Sequence, residues 1–381
     1  MVDVAIVGAG AIAQQSYLPA VRELPNADLR WVVDVNETRA ERLANEFDAT
    51  GYATDYHDVV AETDAAIVAT PPKFHGEIAE AFLQSGVHVL TEKPVAETSH
   101  RAAELVSLSE DHDLHYGISR QFREAPACQL LQTFVNNGAL GEIDSFRIQF
   151  GDTTDWDFAS DYRLQRSLAG GGVLTDKGPH VLDIALWLFG EGFVVERYED
   201  DSFGGLEANA NLELCFDPPD GITGTVELAG SRHVDNEFEI VGQDGKLVAD
   251  PGSESATLTD FESGTVTRLD DDDGTPNTYL LRVGQQAKRF VDAIQTSERS
   301  YVPAASGVDV LELIENCYDV REQMAHPWET PGLELAGENA GGNQAAQKTL
   351  GVEDRGGQSA SGPKNPSDEH PTRIGQTGEG S

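Results

Sequence analysis

The chain has 381 residues, 39% of them hydrophobic, which is long for one domain and sufficient for two cores. With 26 basic and 66 acidic side chains its formal charge is −40, which repels nucleic acid and anionic membrane surfaces and argues against both as partners. Molar salt shortens the Debye length to roughly 3 Å, so acids spread along the whole chain at this density point to a salt-adapted cytoplasm.

Apolar runs at 2–7, 29–35, 65–70, 87–91 and 114–118 read as buried strands, with helical patterns at 37–47, 75–84 and 99–110 between them. This alternation predicts an α/β nucleotide-binding domain over 1–120, a doubly wound parallel sheet. From about residue 142 the pattern changes. Segments 142–151, 194–198, 208–216, 222–229 and 238–250 are strand-like without regular intervening helices, and the last carries the hairpin signal Asp244-Gly245. With helices at 125–136, 180–189, 278–295 and 307–324, residues 121–333 read as an α+β domain with an open, mostly antiparallel sheet. Residues 334–381 contain no aromatic side chain and are rich in Gly, Ala, Gln, Asn, Ser and Glu, the composition of a disordered tail. Cys128, Cys215 and Cys317 are widely spaced with no CxxC, as in a reducing compartment. The N-terminal run is too short for a signal peptide and no apolar run is long enough to span a bilayer, so a cytoplasmic protein is expected.

Residues 1–20, "MVDVAIVGAGAIAQQSYLPA", carry Gly8, Gly10 and Ala13 in the G-x-G-x-x-G/A spacing between a strand and a helix. The first glycine makes a tight turn, the second leaves room for a pyrophosphate, and Ala13 permits close helix packing. Ala11 and Ile12 open that helix, whose free N–H groups suit phosphates. The second strand ends at Asp34, 21 residues beyond Ala13. A carboxylate there accepts hydrogen bonds from an adenosine ribose and repels a 2′-phosphate, favouring NAD; Arg39 keeps NADP open, and a helix-capping role for Asp34 is the plainer alternative. Two further strands end in Thr70-Pro71-Pro72, just before His75, and in Glu92-Lys93-Pro94. Both stretches fall at the carboxyl edge of the sheet, where such folds bind ligands.

The stretch "GGGVLTDKGPHVLD" at 170–183 gathers Asp176, His180 and Asp183 ahead of an apolar helix. Such a group could hold a metal, move a proton, or cap and solvate a helix start.

With these motifs the sequence resembles the Gfo/Idh/MocA oxidoreductases, the family of glucose–fructose oxidoreductase and inositol 2-dehydrogenase. The residues that carry the likeness are the Gly8/Gly10/Ala13 turn, Thr70-Pro71 with His75, Glu92-Lys93-Pro94, "GALGEI" at 138–143, and Asp176, Gly178, His180 and Asp183. It covers about 1–330. The resemblance implies an NAD(P)-binding domain followed by an open-sheet domain, and hydride transfer at a hydroxyl of a sugar, cyclitol or similar compound. It also implies that Lys93 lies by nicotinamide and substrate, with Asp176 and His180 completing the proton-handling group, and that no metal is used. Three departures stand out. Ala13 replaces the commoner glycine, Pro72 stands where the family usually has Asn, and "ISRQFREAP" at 118–126 matches Arg-Phe-x-Pro only loosely, so either Arg120 or Arg123 is the substrate-facing arginine.

Within that frame His180 is the general base, Lys93 a fixed positive charge beside the developing alkoxide, and Asp176 a ligand for a neighbouring hydroxyl. Asp183 faces the same way or satisfies a neighbouring arginine, and Gly170–Gly172 let backbone approach cofactor or substrate closely. The polar segment 152–167 is the expected recognition loop, with Trp156 or Tyr162 stacking on a sugar face and Arg163 or Arg166 taking an anionic group. The expected cofactor set is Gly8, Gly10, Ala11, Ile12, Asp34, Arg39, Thr70, Pro71, His75, Glu92 and Lys93. A homo-oligomer, dimer or tetramer, through the C-terminal sheet is also expected. Two rival functions use the same fold: an enzyme that retains its cofactor and recycles it internally, and a non-catalytic cofactor-dependent sensor.

Overall fold

Why the first third folds as it does is visible in its strands, which are apolar at nearly every position because both faces of a parallel sheet are covered. A computed structural model describes residues 1–152, 165–202, 206–218, 221–270, 278–296 and 300–325. Trp156, Tyr162, Arg163 and the 334–381 tail lie outside the described residues. The strands β1 (Val2–Val7), β2 (Ala27–Val33), β3 (Gly51–Ala53), β4 (Ala65–Val68), β5 (His88–Thr91) and β6 (Tyr116–Ile118) form one parallel sheet in the order β3-β2-β1-β4-β5-β6. The order reverses at β1, so the carboxyl ends of β1, β2 and β4 open a crevice at that switch point.

Between the strands run α1 (Leu18–Glu23), α2 (Glu37–Glu46), α3 (His75–Gln84) and α4 (Ser99–Asp111). Asn36 caps α2 and Thr98 caps α4 through side chains that accept Arg39 N–H and Arg101 N–H. A π-helical turn, Ala13–Tyr17, precedes α1, with Leu18 N–H bonded to Ala13 O. Pro19 follows directly and has no N–H for the ladder, a local reason for the widened turn.

After α5 (Pro126–Asn136) comes the second sheet, built from β7 (Ile143–Gly151), β8 (Phe193–Asp200), β9 (Asn209–Phe216), β10 (Ile222–Ala229), β11 (Glu237–Gly242), β12 (Gly245–Ala249), β13 (Ser255–Asp260), β14 (Val266–Asp270) and β15 (Arg321–Gln323). The order is β14-β13-β12-β11-β7-β10-β9-β8-β15, with only β10–β7 and β15–β8 parallel. Asp244-Gly245 closes the β11–β12 hairpin. Period-two alternation buries Phe146, Ile148, Leu212, Leu214, Val226 and Leu228 on one face. That face carries α5, the short helix α7 (Val173–Asp176) and α8 (Gly178–Phe189), while the short helix α6 (Arg166–Ala169) contacts the Pro72–Phe74 turn of the first domain.

Two late helices tie the sheets together. In α9 (Tyr279–Gln295), Val283, Ala287 and Phe290 are fully buried in the core of the first sheet, against residues such as Tyr17 and Leu18. The helix α10 (Ala305–Asp319) packs on both α4 and α8. It ends five residues before the predicted boundary, because Arg321 is drawn into β15 by the buried Asp200, at 2.7 and 2.8 Å. The three cysteines are buried free thiols. Among the described residues no helix is long and apolar enough to cross a membrane.

Candidate active site

The glycine turn is shaped by two different constraints. Gly8 has φ +100°, and a Cβ there would sit 2.5 Å from Ala69 O, so only glycine lets β1 and β4 meet. A Cβ at Gly10 would meet nothing within 4 Å; the space over this residue is open. The first helical bond runs from Gln14 N–H to Gly10 O, which leaves the N–H groups of Ala11 and Ile12 at the helix entrance. Ala13 is fully buried against the sheet.

Asp34, with a side chain only 9% exposed, is held in place by backbone donors. Asn36 N–H donates to Oδ1 at 2.8 Å and Ala9 N–H to Oδ2 at 2.9 Å. Carboxylate lone pairs remain for ribose hydroxyls. Arg39 lies 3.4 Å from Oδ2, so its guanidinium pairs with the carboxylate that disfavours a 2′-phosphate. At the end of β4, Thr70 Oγ1 is buried with no partner among the described residues. An open cradle above Gly10, unused donors at a helix start, an anchored carboxylate and an orphaned hydroxyl fit a nicotinamide dinucleotide.

The Glu92-Lys93-Pro94 turn is fastened from below. Tyr17, wholly buried, donates to Glu92 Oε1 at 2.6 Å, and Lys93 N–H donates to Oε2 at 3.1 Å. Burial and the adjacent carboxylate push the Tyr17 phenol well above its ordinary pKa and keep it a neutral donor. Glu92 is thereby an anchor for the turn. His75 corrects an expectation. It is 1% exposed, with Nδ1 2.6 Å from Pro94 O and Nε2 2.7 Å from Thr70 O. Burial lowers the His75 pKa and keeps the ring neutral, so it donates its one N–H to one of these two carbonyls and sits enclosed between the β4 and β5 ends.

Across the crevice, Lys93 Nζ donates to Asp176 O at 2.6 Å and lies 3.3 Å from Asp176 Oδ1. Its side chain is 14% exposed and that of Asp176 34%. Two residues 83 positions apart therefore share one site, between the carboxyl end of β5 and the end of α7. His180 lies in the first turn of α8, where Pro179 fits without losing a helical bond. Its ring is tilted against Phe122, with centroids 5.3 Å apart, and Nδ1 lies 3.2 Å from Gln121 Nε2.

Asp183 does not join this group. It is 1% exposed and is gripped by Arg123, whose Nε and Nη2 each lie 2.8 Å from its oxygens. Arg120 Nε adds a third contact at 3.1 Å. Both arginines that were expected to compete for substrate therefore serve this buried carboxylate. Asp176, His180 and Asp183 do not converge, and among the described residues no group of three His, Cys, Asp or Glu is placed to hold a metal.

The glycine triplet also has a different purpose from the one expected. A Cβ on Gly172 would lie 2.1 Å from Glu207 O, and one on Gly171 would lie 2.3 Å from the Tyr318 hydroxyl. Gly170 has φ +84° with open space beside it, whereas Gly171 gives room to Tyr318 and Gly172 to Glu207. That carboxylate, 4% exposed, accepts Gly172 N–H at 2.8 Å, Leu174 N–H at 3.3 Å and the Tyr318 hydroxyl at 2.7 Å. Glu207 thus caps the short helix that ends in Asp176. Sequence reasoning missed Tyr17, Gln121 and Glu207, none of which carries a local signal.

The oxidoreductase family with NAD-binding Rossmann fold, GFO/IDH/MocA, matches residues 2–119, and the GFO/IDH/MocA C-terminal domain matches 128–248. The chain belongs to the Gfo/Idh/MocA oxidoreductase family. A curated relative, levoglucosan dehydrogenase of Pseudarthrobacter phenanthrenivorans, is 27% identical over 249 residues, 57% of this chain and 63% of that protein. The chain thus spans somewhat under two thirds of that relative. A D-xylose 1-dehydrogenase of Haloferax volcanii, named for NADP(+), is 25% identical over 325 residues, 83% of this chain and 96% of that protein. A solved levoglucosan dehydrogenase with NADH and levoglucosan has the same fold, with TM-score 0.74 at 21% identity over 84% of this chain and 96% of that one. Residues 2–119 thus form the NAD-binding Rossmann domain of that oxidoreductase family.

Proposed function

We propose that this chain is an NAD-dependent dehydrogenase acting on a secondary hydroxyl of a sugar, cyclitol or sugar derivative, with Lys93, Asp176 and His180 as its catalytic group. The observation that carries the proposal is the Lys93–Asp176 contact, 2.6 Å to the carbonyl and 3.3 Å to the carboxylate, at the carboxyl edge of a nucleotide-binding sheet. When bound, the dinucleotide supplies the hydride acceptor. The residues of this chain handle what remains, the hydroxyl proton and the charge left on oxygen. Lys93 places a positive charge where alkoxide character develops, in a site sheltered from water. Asp176 fixes that ammonium and accepts a hydrogen bond from a neighbouring substrate hydroxyl. His180 takes the hydroxyl proton as an imidazole.

Preference for NAD over NADP rests on Asp34, whose anchored carboxylate is set against a 2′-phosphate while Arg39 is already paired. The sugar class is supported by the names of the relatives, and a reducing, cytoplasmic setting by the three buried free thiols. The outward face of the second sheet is the candidate oligomer surface. There Arg147, Gln149, Arg197, Glu213 and Glu227 line a shallow concavity of about 310 Å³. At a formal charge of −40, pairing of such faces requires screening, in keeping with a protein that works in molar salt.

The test is a screen of sugars and polyols in molar KCl, following reduced-nicotinamide absorbance with NAD and with NADP. NAD-linked oxidation of at least one polyhydroxylated substrate is expected. Tight NAD binding with no turnover on any of them would favour a sensor and overturn the reading.

A further inference from the structure

The segment Gln121–Glu124 lies beside the catalytic group and its first residue has no part in the scheme above. Gln121 is 1% exposed, and its Nε2 lies 3.2 Å from His180 Nδ1. Its other amide atom, Oε1, is buried with no hydrogen-bond partner among the described residues. A buried carbonyl oxygen left unpaired is unfavourable.

The protonation states of His180 give that orphan a use. An imidazole that takes a proton at Nε2 must already carry its hydrogen on Nδ1. After taking it, as imidazolium, it carries hydrogens on both nitrogens. In both working states Nδ1–H needs an acceptor, and an amide that offers Nε2 to Nδ1 supplies none. Half a turn about the last side-chain bond of Gln121 exchanges Nε2 for Oε1. The orphaned oxygen then accepts Nδ1–H, and proton exchange with a substrate hydroxyl falls to Nε2.

We infer that Gln121 is the positioning residue that sets the tautomer of His180, with its amide turned to accept Nδ1–H in the working enzyme and to donate to Nδ1 in the resting one. The inference rests on the reading of His180 as the general base. The proton balance is simple: the substrate O–H proton moves to Nε2, the carbon-bound hydrogen leaves as hydride to the dinucleotide, and the positive charge on the ring is spread onto Gln121 Oε1. The charged groups on the elements packed around His180 include Lys93 with Asp176, Arg120 and Arg123 with Asp183, Glu124 with Arg289, Arg147 with Glu237, and Lys177 near Asp152. All of these remain when only Gln121 is changed.

The experiment compares Gln121→Leu, Gln121→Glu and His180→Ala in the full chain. One readout is the ¹⁵N chemical shift of the His180 ring without cofactor, which distinguishes Nδ1–H from Nε2–H; the other is kcat against pH with an identified substrate. Gln121→Leu removes the acceptor, so the apparent ionisation should fall by about one pH unit and turnover by about tenfold or more, with NAD affinity unchanged. Gln121→Glu, nearly isosteric, should fix the proton on Nδ1 and raise the ionisation by about one to two units. It also keeps the test open should the Leu variant not fold. If the acid limb survives in His180→Ala, the reading of His180 as base fails and the inference goes with it. If the limb disappears there but the Gln121 variants titrate and resonate as wild type, only the role of Gln121 is overturned.

Discussion

Replacing Asp183 by Asn removes one negative charge from between two guanidinium groups and leaves the shape almost unchanged. Arg120 is 3% exposed and the Arg123 side chain 16% exposed, so neither can recover its hydration without movement of the 121–124 turn or of α8. Beyond Asp183, Arg120 Nη1 has the Pro179 carbonyl at 3.3 Å and Arg123 has the face of Trp187 at 5.3 Å, which are weak substitutes for a carboxylate. Breaking a buried ion pair from one side costs about 3–5 kcal/mol, because the stranded charge dominates the loss. For a unit of this size that corresponds to a drop of about 4–7 °C in melting temperature. Urea titration and calorimetry in molar KCl measure it, and the deficit should persist at higher salt because the pair is shielded from solvent ions. Turnover should fall as well, since Gln121 sits between the two arginines. A variant within about 1 kcal/mol of wild type would refute the view that Asp183 is the structural counter-ion of this corner.

Other predictions follow from single contacts. Gly172→Ala forces a methyl group to 2.1 Å from the Glu207 carbonyl oxygen, so it should destabilise by about 1–3 kcal/mol and depress kcat by shifting the helix that ends in Asp176, both read by melting and steady-state assays. Asp34→Ser should narrow the ratio of kcat/KM for NAD over NADP; a wild-type enzyme that already prefers NADP would move the recognition role to Arg39. Melting temperature should rise steeply with KCl from dilute buffer to molar concentration, and a flat profile would contradict the salt-adapted reading of the −40 charge.

The first half of the fold could be read from the chain because its signals are local. Continuous apolar strands, the glycine turn and the capped helices each occupy one short window. The exceptions share a physical cause, since β3 has only three residues with an exposed Tyr52 in the middle, and the edge strand β14 and its neighbour β13 are polar with few buried positions. Their partners, more than their composition, make them strands. The site was legible to the extent that chemistry named its residues. Lys93 and Asp176 do meet, although no spacing argument joins residues 83 apart. What failed was assigning purpose from residue type. His75 looks reactive in sequence, yet its neutral ring is buried between two backbone carbonyls, whereas Asp183 takes the arginine-pairing role that its sequence had left open. The triple glycine reads as an approach for ligand, yet its last member, Gly172, makes room for Glu207, which is 35 residues away in the chain and invisible to any local pattern.

The central claim, that the Lys93 ammonium acts on the reacting oxygen and not on cofactor binding, is tested most directly by Lys93→Ala, with NAD affinity and turnover measured on the same preparation. The account predicts an NAD dissociation constant close to wild type, because the Gly8–Ala13 turn and Asp34 are untouched, together with a loss of about 10²–10⁴-fold in kcat. Turnover near the wild-type level in that variant would contradict it.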